Sequence, residues 1–215
     1  CQIKLHVRLP IFVHNQWIRH DRFCWNVMSA RYSIMPAEKW TGNGEWRSPS
    51  STNKQAGDAP LDVNVEGSAD QVQGNAYTYA EDSYNELLDM GVCREQARSV
   101  LPMGQYTEAF VTANLGDWML FLRRRMDSHA QMEIQVYANA IYEVLSELFP
   151  TAMQAFMDYQ HGSVGFSRME MNALQEILSK DVKIFELKAS ERVELLERHG
   201  LTSKRERIEF IQKLK

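Results

Sequence analysis

The most constraining stretch of the chain is residues 16–32, QWIRHDRFCWNVMSARY, where Arg19, His20, Arg22 and Arg31 stand among Trp17, Phe23, Trp25 and Tyr32. The arginine guanidinium is a planar fork that matches two oxygens of a phosphate or carboxylate, and its charge does not titrate away. So dense a run of arginine and histidine reads as a site for an anion.

With 215 residues, 44% of them hydrophobic, the chain can bury a sizeable core, most simply as one domain with a small appendage. A net charge of −4 argues against a nucleic-acid binder, which carries a basic footprint. Basic clusters in an acidic chain point instead to small anionic ligands. No apolar run approaches the ~20 residues of a membrane span. The three cysteines, Cys1, Cys24 and Cys93, form no CxxC pair, so neither a disulfide framework nor a zinc site is indicated. This usage fits a reducing cytoplasm, with Cys24 and Cys93 expected as buried structural thiols. The chain begins at Cys1 inside a strand-like alternation of Ile3, Leu5 and Val7, so further residues are expected upstream.

Alternation and β-branched content predict a strand over 2–9. Pro10 suits the first turn of a short helix carrying Phe12, Val13, Trp17 and Ile18. Residues 26–33 read as extended, and 36–67, rich in Pro, Gly, Ser, Asn and Asp, as a long surface loop. A helix is expected from Ser68, with Ser68 and Gln71 as its capping box and Gly91 at its C-terminal end. A short helix over 95–100 stops at Pro102, a strand covers 106–113, and a helical region runs from 115 to 148, broken near 127–129 and ended by Pro150. Capping boxes at Ser167/Glu170 and Ser203/Glu206 mark the closing helices. The class is mixed α/β with a helical majority.

A second basic cluster holds Arg123, Arg124, Arg125, Asp127, His129 and Gln131. On a continuous helix Arg125 and His129, four apart, would share a face. Met119, Leu120, Phe121 and Leu122 place the arginines against apolar surface, although a run of this kind is more often a solvated face. Arg94 and Arg98 form a third group, with Arg98 next to the apolar run before Pro102. His129 and Glu133 have no evident third ligand, so no metal site is expected. Gly42, Gly44 and Gly57 do not make a phosphate-binding glycine motif.

Three separated segments resemble the flavin-dependent thymidylate synthases, the ThyX family: P-I-F-V-x-x-Q-W-x-R-H at 10–20 leading to S-A-R-Y at 29–32, A-R-x-V-L-P followed by Y-T at 97–107, and D-S-H-A-Q-x-E-I-Q within 114–138. The piece W-R-x-x-x-x-x-N-K-Q at 46–55 is similar as well. The resemblance covers roughly residues 3–160. It implies an α/β (α+β) fold with a central, mostly antiparallel sheet flanked by helices, a synthase-like domain over 1–160 lacking its N-terminal part, and a helical extension over 161–215. It further implies a cytoplasmic homotetramer with sites between subunits, converting dUMP to dTMP. Methylenetetrahydrofolate would give the carbon and FAD, reduced by NADPH, the hydride.

Carried over by position, Gln16, Arg19, Ser29, Ala30, Arg31 and Arg98 fall at dUMP-binding places. Arg125 falls at the catalytic arginine that stabilises ionised uracil. Arg19, His20, Asp21, Asn114, Gly116 and His129 fall at FAD-contacting places. The chain departs from the family pattern at four of its positions, with Asp21 for Arg, Cys24 for Ser, Val27 for Glu and Gly116 for Arg. At an effective dielectric near 20, a like-charge contact at ~4 Å costs about 4 kcal/mol before solvent screening, so Asp21 beside a pyrophosphate would weaken FAD binding. Arg22, Arg123 and Arg124 are nearby cations that could compensate. Two alternatives stay open: a relative acting on another pyrimidine nucleotide or hydroxymethylating it, and a catalytically dead nucleotide-binding subunit.

Overall fold

Alternating side chains on Gln2–Pro10 (β1) bury Ile3, Val7 and Leu9 and leave Lys4, His6 and Arg8 outside, which commits one face of a sheet to the core. The computed structural model describes residues 1–32, 37–42, 45–50 and 57–214. β1 pairs antiparallel with Tyr106–Asn114 (β5) from Gln2 opposite Asn114 to Pro10 opposite Tyr106. On the other flank of β5 lies Cys24–Val27 (β2), with Cys24 opposite Thr112 and Val27 opposite Ala109. The sheet order is therefore β1-β5-β2, antiparallel throughout.

Between β1 and β2 runs Ile11–Trp17 (α1). Its N-terminus has no side-chain cap; instead the Ile11 and Phe12 amides donate to the carbonyls of Gln105 and Met103, at 2.9 and 3.1 Å. Trp17, fully buried, stacks on Phe121 at 4.5 Å between centroids and meets Trp25 edge-on at 5.5 Å. Phe23 packs edge-on against Trp118 at 4.8 Å. This aromatic cluster joins α1 and β2 to Leu115–Arg125 (α4), which Asn114 caps by accepting from the Asp117 amide at 3.0 Å. Met132–Leu148 (α5) adds Ile134, Ala138, Ile141 and Leu145 to the core.

Several expectations are corrected by these contacts. In place of the expected extended segment 26–33 there is a strand at Cys24–Val27: the Met28 amide still donates to the Glu108 carbonyl of β5, residues 30–32 form a turn, and residue 33 lies outside the described residues. Within the expected loop, Arg47–Pro49 (β3) and Gly57–Pro60 (β4) pair antiparallel. A Cβ at Gly57 would stand 2.8 Å from that of Arg47, so only glycine lets the strands approach. The long helix is Val63–Asp89 (α2), capped by Asp62, while Ser68 lies inside it and bonds back to the Asn64 carbonyl. Cys24 and Cys93 are exposed, not buried. On β2 the inward positions belong to Trp25 and Val27, and Cys93 precedes the first turn of Arg94–Ala97 (α3). Pro150 does not merely end a helix; it begins the next, Pro150–Phe156 (α6).

Other expectations hold. Gly91 follows α2 with φ +87°, and the Val92 and Gly91 amides close on Leu87 and Leu88 carbonyls at 2.9 Å each. The helical region breaks at 126–131, where Asp127 accepts from the His129 amide at 2.8 Å. Asn53, Lys54 and Gln55 lie outside the described residues.

The chain divides into compact units Cys1–Phe156 and Met157–Lys215. The second holds Arg168–Ser179 (α7), Ala189–Arg198 (α8) and Lys204–Lys213 (α9) around Ala173, Leu196, Leu201 and Phe210. Both expected capping boxes form there, at Ser167/Glu170 and Ser203/Glu206. Among the described residues no helix is long and apolar enough to cross a membrane.

Replacing Trp17 by alanine empties the centre of the aromatic cluster. The expected loss is about 3–5 kcal/mol, read as a lower urea midpoint at unchanged slope. A loss below about 1 kcal/mol would contradict the central place given to this side chain.

Candidate active site

Arg125, the last residue of α4, turns back onto α1. Its Nε donates to His20 Nε2 at 3.0 Å and its Nη2 to the Gln16 carbonyl at 3.2 Å. An imidazole nitrogen that accepts from a guanidinium carries no proton, so His20 is neutral here. His20 is only 6% exposed, against Phe121 and Phe23. Burial, then the charges of Arg125 and Arg124, push its pKa down to about 4, with Asp21 pulling weakly the other way. Burial and Arg124 also lower the pKa of Arg125 itself. Gln16 reaches from α1 to Gln131 through its side-chain amide, which ties the 126–131 turn to the same spot.

A second cluster forms where the chain leaves β2. Arg31 pairs with Glu95 at 2.9 Å, Arg98 donates through Nε to the Glu95 carbonyl at 3.2 Å, and the Arg31 amide reaches Ser29 Oγ at 3.3 Å. Two guanidinium groups far apart in sequence thus share the first turn of α3. The Arg31–Glu95 pair is half exposed on both sides, so it is weak and an incoming dianion can displace the carboxylate. Nothing in the sequence marks Glu95 beyond its position three residues before Arg98. Beside the cluster opens a cavity of about 230 Å³, lined by Ile11, His14, Val27, Met28, Ala30, Arg98, Leu101 and Thr107.

The remaining predicted residues are spread out. Asn114 is engaged as the cap of α4 and also donates to Asp117, a carboxylate 9% exposed that takes Arg22 at 3.3 Å. A side chain at Gly116 would meet Asn114 Oδ1 at 3.3 Å, close to that cap. Along the axis of α4, Asn114 lies about 16 Å and Asp117 about 12 Å from Arg125. Arg19, Asp21, Arg123 and Arg124 are exposed. His129 does not share a face with Arg125, because α4 ends at Arg125; its ring turns to Asp127 at 2.8 Å. Within one chain, then, Gln16, His20 and Arg125 come together, and so do Ser29, Ala30, Arg31 and Arg98.

The family model described as "Thymidylate synthase complementing protein" matches residues 1–151. A "Flavin-dependent thymidylate synthase" of Dictyostelium discoideum is 37% identical over 179 residues, 81% of this chain and 57% of the relative. One of Thermus thermophilus is 39% identical over 180 residues, 83% of this chain and 65% of the relative. The chain therefore spans roughly three fifths of the length of these curated relatives. Among solved structures, a UMP/dUMP methylase PolB from Streptomyces cacaoi, bound with 5-Br UMP, is similar with a TM-score of 0.71 at 27% identity, over 74% of each chain. The two chains share a fold over that part, and with the family model matching residues 1–151 this chain belongs to the thymidylate synthase complementing protein family.

Proposed function

We propose that the chain carries the nucleotide- and flavin-binding core of a flavin-dependent thymidylate synthase, which reductively methylates dUMP to dTMP. The observation that carries this reading is the meeting of Arg31 and Arg98 at Glu95, beside a cavity bordered by Ala30. Two guanidinium groups suit the dianionic phosphate of a nucleotide through charge-assisted bonds. The names of the curated relatives and the pyrimidine nucleotide bound to the solved relative support the same assignment.

Arg125 is the proposed catalytic residue. A guanidinium beside the uracil ring favours its ionised form by opposite charge and activates C5. Neutral His20 holds that guanidinium in place through Nε2 without competing as a cation. Gln16, Arg19, Ser29, Ala30 and Arg31 join Arg98 as dUMP-binding residues.

For FAD the fit rests on charge: Arg124 and Arg125 outweigh Asp21 around His20, which suits an anionic group. Arg19, His20, Asp21, Asn114, Gly116 and His129 are its proposed contacts. Bound FAD would supply hydride chemistry, with NADPH as reductant and methylenetetrahydrofolate as carbon donor. The separation of Asn114 from Arg125 by the length of α4, and the exposure of Arg19 and Arg31, favour sites completed by other subunits; the homotetramer and the cytoplasm rest on the family resemblance alone. A second reading, with UMP accepted alongside dUMP, is favoured by the likeness to the UMP/dUMP methylase.

The direct test is the visible spectrum of the purified chain with FAD, followed by anaerobic NADPH reduction and an assay for dTMP from dUMP and methylenetetrahydrofolate. No flavin band and no dTMP would sink the proposal. Arg125→Ala should lower turnover at least ~100-fold, the scale of losing an electrostatic stabiliser, with the circular dichroism spectrum retained; near-normal turnover refutes the role.

The same variant should raise the His20 pKa from about 4, while burial keeps it below the ordinary 6.5, as read by NMR titration. With a folded pKa below the unfolded value, His20 favours the fold above pH 6.5, and that advantage fades as pH falls toward about 4. The loss is on the order of 3 kcal/mol and should shrink in Arg125→Ala, as measured by denaturation between pH 4 and 7. Asp21→Arg should tighten FAD binding about 2–10-fold at this exposed position, and unchanged affinity counts against the repulsion argument.

A further inference from the structure

Beside Arg125 two glutamine side chains meet from segments 115 positions apart in the chain. Gln131 directly precedes α5, and its backbone carbonyl starts that helix by accepting from the Ile134 and Gln135 amides at 3.1 Å each. Polar side chains at such a position usually cap the helix they precede. That of Gln131 does not; its Oε1 accepts instead from Nε2 of Gln16. The Gln16 carbonyl in turn takes Nη2 of Arg125 at 3.2 Å. Hydrogen bonds thus link the guanidinium through Gln16 to Gln131.

This linkage leaves particular groups open. With the oxygen of Gln131 committed to Gln16, its free end is the NH2 group. Were the two amides exchanged end for end, Gln131 would still keep one N–H open, so the donor does not depend on how the amides are oriented. Arg125 binds through Nε and Nη2, which leaves Nη1 open as well. Neither Gln131 Nε2 nor Arg125 Nη1 has a partner among the described residues. Both residues are half-buried, and neither atom is sealed in the core as Nε1 of Trp17 is.

The two donors differ in what they can tell apart. The charge of Arg125 acts at long range and favours any electron-rich pyrimidine edge. A neutral N–H held in one direction distinguishes an acceptor from a donor at the position it meets. Uracil and cytosine differ there, with a carbonyl oxygen at C4 of the one and an NH2 group at C4 of the other. An N–H aimed at C4 is satisfied by uracil and repelled by cytosine. Its bond to the carbonyl also strengthens as the ring takes up negative charge.

We propose that Gln131 is a specificity-determining residue whose Nε2, positioned by Gln16, donates to the C4 carbonyl of uracil and so selects dUMP over dCMP. The inference rests on the nucleotide reading of Arg31 and Arg98 and on the uracil role of Arg125.

The test is calorimetric binding of dUMP and dCMP, which share sugar and phosphate, to the unaltered chain, to Gln131→Glu and to Gln131→Met. The unaltered chain should favour dUMP at least about tenfold. Gln131→Glu keeps the oxygen that takes Gln16 Nε2 and replaces only the NH2 group by an acceptor. It should lower the dUMP-to-dCMP affinity ratio by more than about tenfold, and Gln131→Met, which has no donor, by about tenfold. Both should keep the circular dichroism spectrum, since this side chain does not cap α5. A further readout needs no variant: the side-chain NH2 resonances of Gln131 should move on adding dUMP and stay on adding inorganic phosphate.

NH2 resonances unmoved with dUMP bound overturn the role of Gln131 alone. So does a ratio in Gln131→Glu within about twofold of the unaltered chain's, or equal binding of dUMP and dCMP by the unaltered chain. No binding of dUMP by the unaltered chain overturns the nucleotide reading, and this proposal with it.

Discussion

The stacking of Trp17 on Phe121 is the contact on which the first compact unit depends. Trp17 belongs to α1, Phe121 to α4, and Trp25 of β2 closes on Trp17 from a third direction. Buried aromatic side chains of this size contribute more than any other contact in a core, and edge-to-face and stacked geometries add direction to that burial. Once α1 and α4 are locked across this cluster, the turn after Trp17 and the end of α4 are neighbours. His20 and Arg125 then have no other place to go.

That proximity has an electrostatic consequence. A histidine beside a guanidinium, shielded from water, is cheaper neutral than charged, and the neutral ring turns its lone pair to the guanidinium. The result is a cation oriented by a hydrogen bond and by the Gln16 carbonyl, with its charge undiminished by any carboxylate in those bonds. The Arg31–Glu95 pair is the opposite arrangement: exposed, and paired with an acid. One cluster holds its cation still, and the other leaves its guanidinium exposed in a weak pair.

Much of the fold was legible in local chemistry. Proline at the start of α1, glycine after α2 and the two serine–glutamate capping boxes act through bonds within four or five residues, so sequence spacing states them directly. The start of α2 is not legible locally, because Ser68 has the same capping chemistry as Asp62 and only the preceding strand pair shows which is used. The exposure of Cys24 is not legible either, because it follows the parity of β2 against β5, a register that no local residue declares. Of the site, the cationic residues stood out by type. Glu95 did not, since an acid on a short helix is commonplace until its neighbours are known.

By itself the sequence determined which side chains are available: the arginines and histidines in two distant motifs, the alternation that makes β1 and β5, and the family to which those motifs belong. Only the tertiary structure decided which of them meet. Arg125 and His129, four residues apart, are parted by the end of α4, while Arg125 and His20 are joined across 105 positions. The reason is that helix ends and strand register are set by packing over the whole core, and a polar site inherits its geometry from that packing.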